Sequence, residues 1–279
     1  MGKLVEGDDG RQVEEVGDWI EEKLFDVRTY VGLSHGARRK FLGPGEAGAT
    51  YIDLFCGPGR TKIRDNARYV DGMAVAAWKA AVAKGSPYSA VYIADKDERR
   101  RKLCAQRLKA LGAPVEEIFG TAADAAKKLR TVLHPQALHF ALLDPYSLGA
   151  LRFDILANLA AFQRMDILAH VSSMDLTRNI ELQSTDLHED NEFEEFAPAW
   201  REHIPVNLPR AERRAEVIRY WAWRVGMELG IEASESMHPI KNSKTLTLYW
   251  LVLLSRHELA KKFWDATVRS RPQSTKEMF

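Results

Sequence analysis

Two glycines and a set of carboxylates carry the chemistry that can be read first from this chain. The stretch "YIDLFCGPGR" runs from an alternating apolar strand, Tyr51 to Phe55, into a Gly57-Pro58-Gly59 turn, with Asp53 inside the strand. Glycine permits positive φ and close approach of a ligand to the backbone, which Gly57 and Gly59 offer beside Phe55. A dinucleotide loop would read G-x-G-x-x-G. Here Lys62 stands where the third glycine belongs, and Pro58 removes an N–H that a pyrophosphate would use. A G-x-x-x-x-G-K-[ST] loop is absent as well. Acids follow the neighbouring strands: Asp95, with Asp97 as its near competitor, and Asp144 further on. Asp53 is placed to engage a cationic amino group, and Asp95 to hold ribose hydroxyls. Asp124, at the exit "FGTAAD", is placed either to touch an adenine edge or, ahead of that, to be a first-turn helix acid. Glycines and carboxylates without phosphate donors suit S-adenosylmethionine better than NAD. A purely structural strand-to-helix turn is the competing reading.

These residues need strands and helices in alternation. Helical spacing runs from about Val13 to Phe41, with Val13, Val16, Ile20, Leu24 and Val27 roughly on one face. After the strand at Tyr51 come a helix over Val70 to Lys84, the strand "SAVYIAD" and the charged helix "KDERRRKLCAQRLKAL". A weak strand "VEEIFG", a helix over Ala123 to Leu133, the strand "LHFALLD", a short helix over Phe153 to Gln163 and the strand "MDILAHVSS" follow. A polar, acidic stretch then leads to the helix "RAERRAEVIRYWAWRVGMEL", a short strand "SESMHPI", a turn "KNSK" and the strong strand "TLTLYWLVLL". Alternation implies crossover connections and a mostly parallel sheet, and the last two strands form an antiparallel hairpin. The expected fold is α/β: a doubly wound, Rossmann-like sheet of the class I methyltransferase type. The chain divides on this reading into an N-terminal helical extension (1–49), a Rossmann-like core (50–173), an acidic insertion (174–209) and a C-terminal helix and hairpin completing the same sheet (210–279).

Composition narrows the setting. A net charge of +1 over 279 residues gives no global attraction to nucleic acid, so any such binding must come from a local patch. Cys56 and Cys104 are too few for a disulfide framework or a metal cage, no His/Cys/Asp spacing reads as a metal site, and a reducing cytoplasm suits them. The first residues lack a signal-peptide core, Glu6 stands where a myristoylation signal needs Ser or Thr, and "LYWLVLL" is too short to span a membrane.

The stretches "VGDWIEEKL", "YIDLFCGPGR", "LLDPYSLGAL" and "RMDILAHVSSMDLTRN" together resemble the three-Cys-motif partner protein family, TcmP, from about Val16 to about Trp200. The resemblance implies a methyltransferase-like Rossmann fold and a partner protein carrying a three-cysteine motif. "DLFCGPG" is also similar to the first motif of cytosine-C5 DNA methyltransferases. That chemistry needs a cysteine after the fourth strand, where Asp144, Pro145, Tyr146 and Ser147 stand, so it is not expected. "DPYS" resembles the D/N-P-P-Y motif of enzymes that methylate exocyclic amines, short of one proline. Carried over, Asp144 would orient the amine, Pro145 would shape the loop and Tyr146 would stack on a base. The bland alternative ends the strand at Asp144 and packs Tyr146 under the loop.

Phosphates of a flipped base need cations. Arg60, Lys62, Arg64 and Arg68 lie in a basic loop beside the glycine turn, which could equally contact a protein. The run Arg99, Arg100, Arg101, Lys102, Arg107 and Lys109 reads foremost as a solvated helix face. After the fifth strand, Asp175, Arg178 and Asn179 could border a substrate cleft, or Ser173 or Asp175 could cap a helix. His139 and His170 read as satisfied core histidines, Trp221 as core, and Glu192, Glu194 and Glu195 as part of a lid, a docking arm or an unordered stretch. Two functions stand: an S-adenosylmethionine-dependent methyltransferase acting on a nucleic-acid amine, or a non-catalytic cofactor- or nucleic-acid-binding partner subunit. A nucleotide-dependent oxidoreductase is third, for want of the glycine.

Overall fold

Strand Ala49–Asp53 is buried along its whole length, as the centre of a parallel sheet covered on both faces requires. Around it the computed structural model describes residues 2–64, 66–185, 192–205, 207–241 and 247–271, the side chains of 181–185 excepted. In chain order the strands are β1 (Leu4–Glu6), β2 (Gln12–Val16), β3 (Ala49–Asp53), β4 (Arg60–Ile63), β5 (Tyr69–Asp71) and β6 (Ala90–Ile93). They continue as β7 (Val115–Glu117), β8 (Leu138–Leu143), β9 (Met165–Ser172), β10 (Glu232–Ala233), β11 (His238–Lys241) and β12 (Thr247–Ser255). The helices are α1 (Ile20–Leu33), α2 (His35–Arg39), α3 (Met73–Ala83), α4 (Glu98–Ala110), α5 (Ala122–Val132) and α6 (Phe153–Ala160). After them come α7 (Ser173–Thr185), α8 (Glu192–Phe196), α9 (Trp200–His203), α10 (Arg210–Leu229) and α11 (Glu258–Arg269).

The main sheet has the order β7-β6-β3-β8-β9-β12, with β10 and then β11 along the free edge of β12. Strands β7, β6, β3, β8 and β9 are parallel, while β12 runs against both β9 and β11. A final antiparallel strand inserted beside the fifth parallel one is the class I methyltransferase arrangement, the α/β fold expected from the sequence. One apolar core lies under α5, α6 and α10, with Ile52, Leu156, Trp200 and Trp221 fully buried. The other lies under α1, α3 and α11, with Val27, Tyr51 and Trp264 fully buried.

The N-terminal region departs from the helical expectation. Val13 and Val16 belong to β2, which pairs antiparallel with β1 and parallel with β4. Strands β4 and β5 pair in turn, so the glycine turn feeds a second sheet, β1-β2-β4-β5, before α3 begins. The stretch expected to be a basic loop thus holds two strands. In β4 Thr61 and Ile63 point inward and Arg60 and Lys62 outward, the period of a half-buried strand.

The basic face of α4 clamps this second sheet. Arg100, Arg101 and Arg107 are buried rather than solvated. Arg107 donates to Asp9 at 2.8 and 2.9 Å, to the Gln12 carbonyl at 3.0 Å and to the Pro58 carbonyl at 2.5 Å, gripping the hairpin and the glycine turn together. Arg100 pairs with Glu14 at 2.9 Å, and Arg101 with Glu117 at 3.5 Å. The acidic stretch is helical over Ser173–Thr185 and again in two short helices, Glu192–Phe196 and Trp200–His203, which Phe193, Phe196 and Trp200 anchor in the core. Its middle, and the turn expected at "KNSK" beyond Lys241, lie outside the described residues.

Candidate active site

The turn after β3 spends the backbone donors of Phe55, Cys56 and Gly57 on the protein itself. Phe55 N–H donates to Asp53 Oδ1 at 3.1 Å, Cys56 N–H to the Ala94 carbonyl at 3.0 Å, and Gly57 N–H to Asp95 Oδ2 at 3.1 Å. Pro58 has no N–H to give. Gly57 and Gly59 adopt φ of 56° and 78°, where a side chain is strained. A Cβ on Gly59 would lie 3.1 Å from the Cα of Cys104, so α4 also needs this glycine. A phosphate cradle requires free N–H groups converging on the ligand, and the donors of Phe55, Cys56 and Gly57 are committed.

Above this turn lies a cavity of about 520 Å³, within the range that takes small ligands. It sits outside the carboxyl ends of β3 and β8, where the connections diverge to opposite sides of the sheet. The turn supplies Phe55, Gly57 and Gly59, the exit of β6 supplies Asp95 and Lys96, and the start of α5 supplies Thr121 to Ala123. The exit of β8 supplies Asp144, Pro145 and Tyr146, the N-terminal elements Glu14, Trp19 and Lys23, and α8 supplies Glu192 and Glu195.

Asp95 is 8% exposed, and burial raises its pKa. Its two oxygens accept N–H from Gly57 and from Asp97, at 3.1 and 2.9 Å. A carboxylate offers roughly four acceptor positions, so about two remain open toward the cavity. Asp53 behaves differently. It is buried behind the turn, bonded to Phe55 N–H and the Tyr51 hydroxyl, and does not line the cavity. Burial, with Asp144 and Asp95 adding to it, pushes its pKa up to about 7. Asp53 is therefore not open to the cavity for the cationic contact expected of it, since its carboxyl is spent on the Phe55 N–H and the Tyr51 hydroxyl behind the turn.

Asp144 is part of a buried cluster. Lys23, only 4% exposed, donates from Nζ to both carboxylate oxygens at 2.7 Å. His170 Nδ1 lies 2.7 Å from Oδ1 and donates to it, since a carboxylate only accepts. Burial works against the charge of Asp144, but Lys23 and His170 outweigh it and hold the carboxyl far below its ordinary range. Burial lowers the His170 pKa against the pull of Asp144, which leaves the imidazole neutral. The Tyr249 ring closes the cluster, 3.8 Å from the His170 ring centroid and 4.8 Å from Lys23 Nζ. Tyr146 is 55% exposed at the rim, with Lys96 Nζ 4.0 Å from its ring centre, so it does not pack under the loop.

The remaining expected residues fall outside the cavity. Asp97 caps α4, accepting from the N–H groups of Arg99 and Arg100. Asp124 forms a capping box with Thr121, the helix-acid alternative. Neither carboxyl faces a ligand. Arg60 bonds Asp8 at 2.5 and 2.6 Å and reaches Asp71 at 3.4 Å, while Arg64 lies 3.9 Å from Glu15. Lys62 stands on β4, away from the cavity wall, and Arg178 is on an exposed face of α7. Acidic neighbours on the second sheet thus offset much of the basic patch. Asp175 accepts from Leu148 N–H at 2.8 Å and braces the loop carrying Asp144, and His139 is satisfied by Thr50 and the His134 carbonyl. The residue that sequence reasoning missed is Lys23. Its signal was present: it falls between Ile20, Leu24 and Val27 on the buried stripe of α1, where an unpaired charge is costly.

No family model matches the chain, and no curated protein matches it. Solved structures similar to it include the methyltransferase domain of a bacterial Hen1, with 12% identity over 85% of this chain and 100% of that one, at a TM-score of 0.43. Another is an O-methyltransferase from Bacillus cereus in complex with SAH, with 10% identity over 86% and 82% of the two chains and a TM-score of 0.42. A third is a geranyl diphosphate methyltransferase with GPP and sinefungin, with 14% identity over 80% and 78% and a TM-score of 0.34. Likeness at this level carries no functional weight, and the chemistry of the site rests on its own residues. No described helix is long and apolar enough to cross a membrane.

Proposed function

We propose that this chain binds S-adenosylmethionine in the cavity above the glycine turn and is a methyltransferase. The observation that carries the reading is the turn whose Phe55, Cys56 and Gly57 N–H groups are already spent beside a half-satisfied Asp95, which suits a nucleoside without phosphates. Asp95 would take the ribose hydroxyls, and the Gly57 to Gly59 backbone would lie against the ligand where no side chain intrudes. S-adenosylmethionine supplies an electrophilic methyl group on a sulfonium sulfur. The chain's contribution is to align donor and acceptor and to exclude water.

The acceptor suggested by "DPYS" is an exocyclic amine of a nucleic-acid base, with Tyr146 exposed at the rim to stack on it. Against an amine stands the state of Asp144: Lys23 and His170 occupy both of its oxygens, leaving about one of roughly four acceptor positions for an N–H. The same observation favours the second reading, a non-catalytic subunit that holds the cofactor for a three-cysteine-motif protein. Calorimetric titration separates the classes. S-adenosylmethionine and SAH are expected to bind one to one, and NAD and ATP not to. Binding of NAD or ATP, with none of the sulfonium ligand, would overturn the reading.

A further inference from the structure

We infer that the methyl acceptor is an acidic hydroxyl, of phenol or enol type, bound as its oxyanion against Lys23; this rests on the methyl-transfer reading above. An ammonium has three N–H donors. Two of those on Lys23 go to Asp144 at 2.7 Å, and the third has no acceptor among the described residues, although the side chain is 4% exposed and lines the cavity. The Tyr249 ring, 4.8 Å from Nζ, offers only its π face. A buried donor without a partner is costly, on the order of 1–3 kcal/mol, and an anionic oxygen from the ligand would satisfy it. Around Nζ stand the Asp144 carboxylate, itself held by the neutral His170 imidazole, and the Tyr249 ring. The wall beyond carries Glu14, Asp95, Glu192 and Glu195 against Lys96, Arg100 and Arg152, so an arriving anion meets the donor where charges of the two signs nearly balance. An amine would instead need an acceptor here, and Asp144 is largely occupied. Oxygen fits where nitrogen does not.

The step balances without a base from the protein. The hydroxyl proton leaves to water as the acceptor binds beside the ammonium. An oxygen–carbon bond then forms to the methyl carbon, the carbon–sulfur bond breaks with its electron pair remaining on sulfur, and the charges of oxyanion and sulfonium vanish together. Lys23 remains protonated throughout.

The probe is p-nitrophenol, whose phenolate is coloured, titrated into the full chain saturated with SAH. The expected result is binding with ionisation about tenfold easier than in water. Lys23→Met alone would leave Asp144 buried without its cation and risk unfolding, so the decisive variant is Lys23→Met with Asp144→Asn. That variant, shown folded by its thermal transition, should lose the colour shift. Absence of the shift in the parent chain, or its persistence in the double variant, would overturn the inference. So would a tenfold loss of SAH affinity in that variant with no loss for 5′-methylthioadenosine, which lacks the amino-acid carboxylate; the ammonium would then hold the donor's carboxylate. The SAH titration of the parent chain tests the methyl-transfer reading by itself.

Discussion

Charge is buried in two places in this molecule, and they are built differently. Along α4, Arg100, Arg101 and Arg107 each meet a carboxylate on another element and also a backbone carbonyl, of Gly2 for Arg100, of Asp95 for Arg101 and of Gln12 and Pro58 for Arg107. In the crevice, among the described residues, Asp95 keeps open acceptor positions, Lys23 keeps an unused donor, and Lys96 has only the Tyr146 ring. Both regions bury ions in a chain of nearly zero net charge. The difference lies in what the pairs join. Charge paired between elements distant in sequence holds them together, and charge with open positions beside a cavity marks a place for something else.

Breaking the α4 clamp should have the largest effect. Arg107→Ala removes four hydrogen bonds and leaves Asp9 without its main cation, and is expected to destabilise the chain by about 3 kcal/mol in a urea titration. An effect below about 1 kcal/mol would mean that the clamp is ornamental. Breaking the open site should show the reverse profile. Asp95→Ala is expected to weaken SAH binding by at least about tenfold, with a smaller change in melting temperature. Gly59→Ala sharpens the border between the regions, because it strains a positive φ and presses on Cys104. It should cost roughly 1–2 kcal/mol and weaken ligand binding as well.

The smallest effect concerns pH. The folded chain holds Asp53 at about 7, above its unfolded value, so the folded state binds more protons in the window between. Stability from this group is therefore lost as pH rises from about 4 toward 7. Asp53→Asn should gain stability relative to the parent chain as pH is raised from 6 to 8, by about 1 kcal/mol, read from paired thermal melts. A constant difference would show that Asp53 titrates normally.

The strands that make the main sheet were legible because their apolar runs are long and bounded by turns: "TYIDLF", "LHFALLD" and "TLYWLVLL" each bury most of their length. The second sheet was not. "QVEEV" and "RTKI" carry too few apolar residues to outweigh their charges, and their pairing depends on arginines 40 or more residues away. For the site, the glycine turn, Asp95 and Asp144 could be read from chain order, since the crevice lies where the strands end. Telling Asp95 from Asp97 and Asp124 required seeing which carboxyls cap helices. Lys23 escaped because its partner Asp144 lies 121 positions further along, although a lysine on an apolar stripe was itself the sign of a buried pair.

The account turns on an acid that lines the cavity against acids that cap helices, and one experiment compares them directly: calorimetric titration of SAH into the parent chain and into Asp95→Asn, Asp97→Asn and Asp124→Asn. Saturable binding by the parent chain, weakened at least about tenfold by Asp95→Asn alone, is the predicted result. Equal loss in all three variants, or no binding by a folded parent chain, would contradict it.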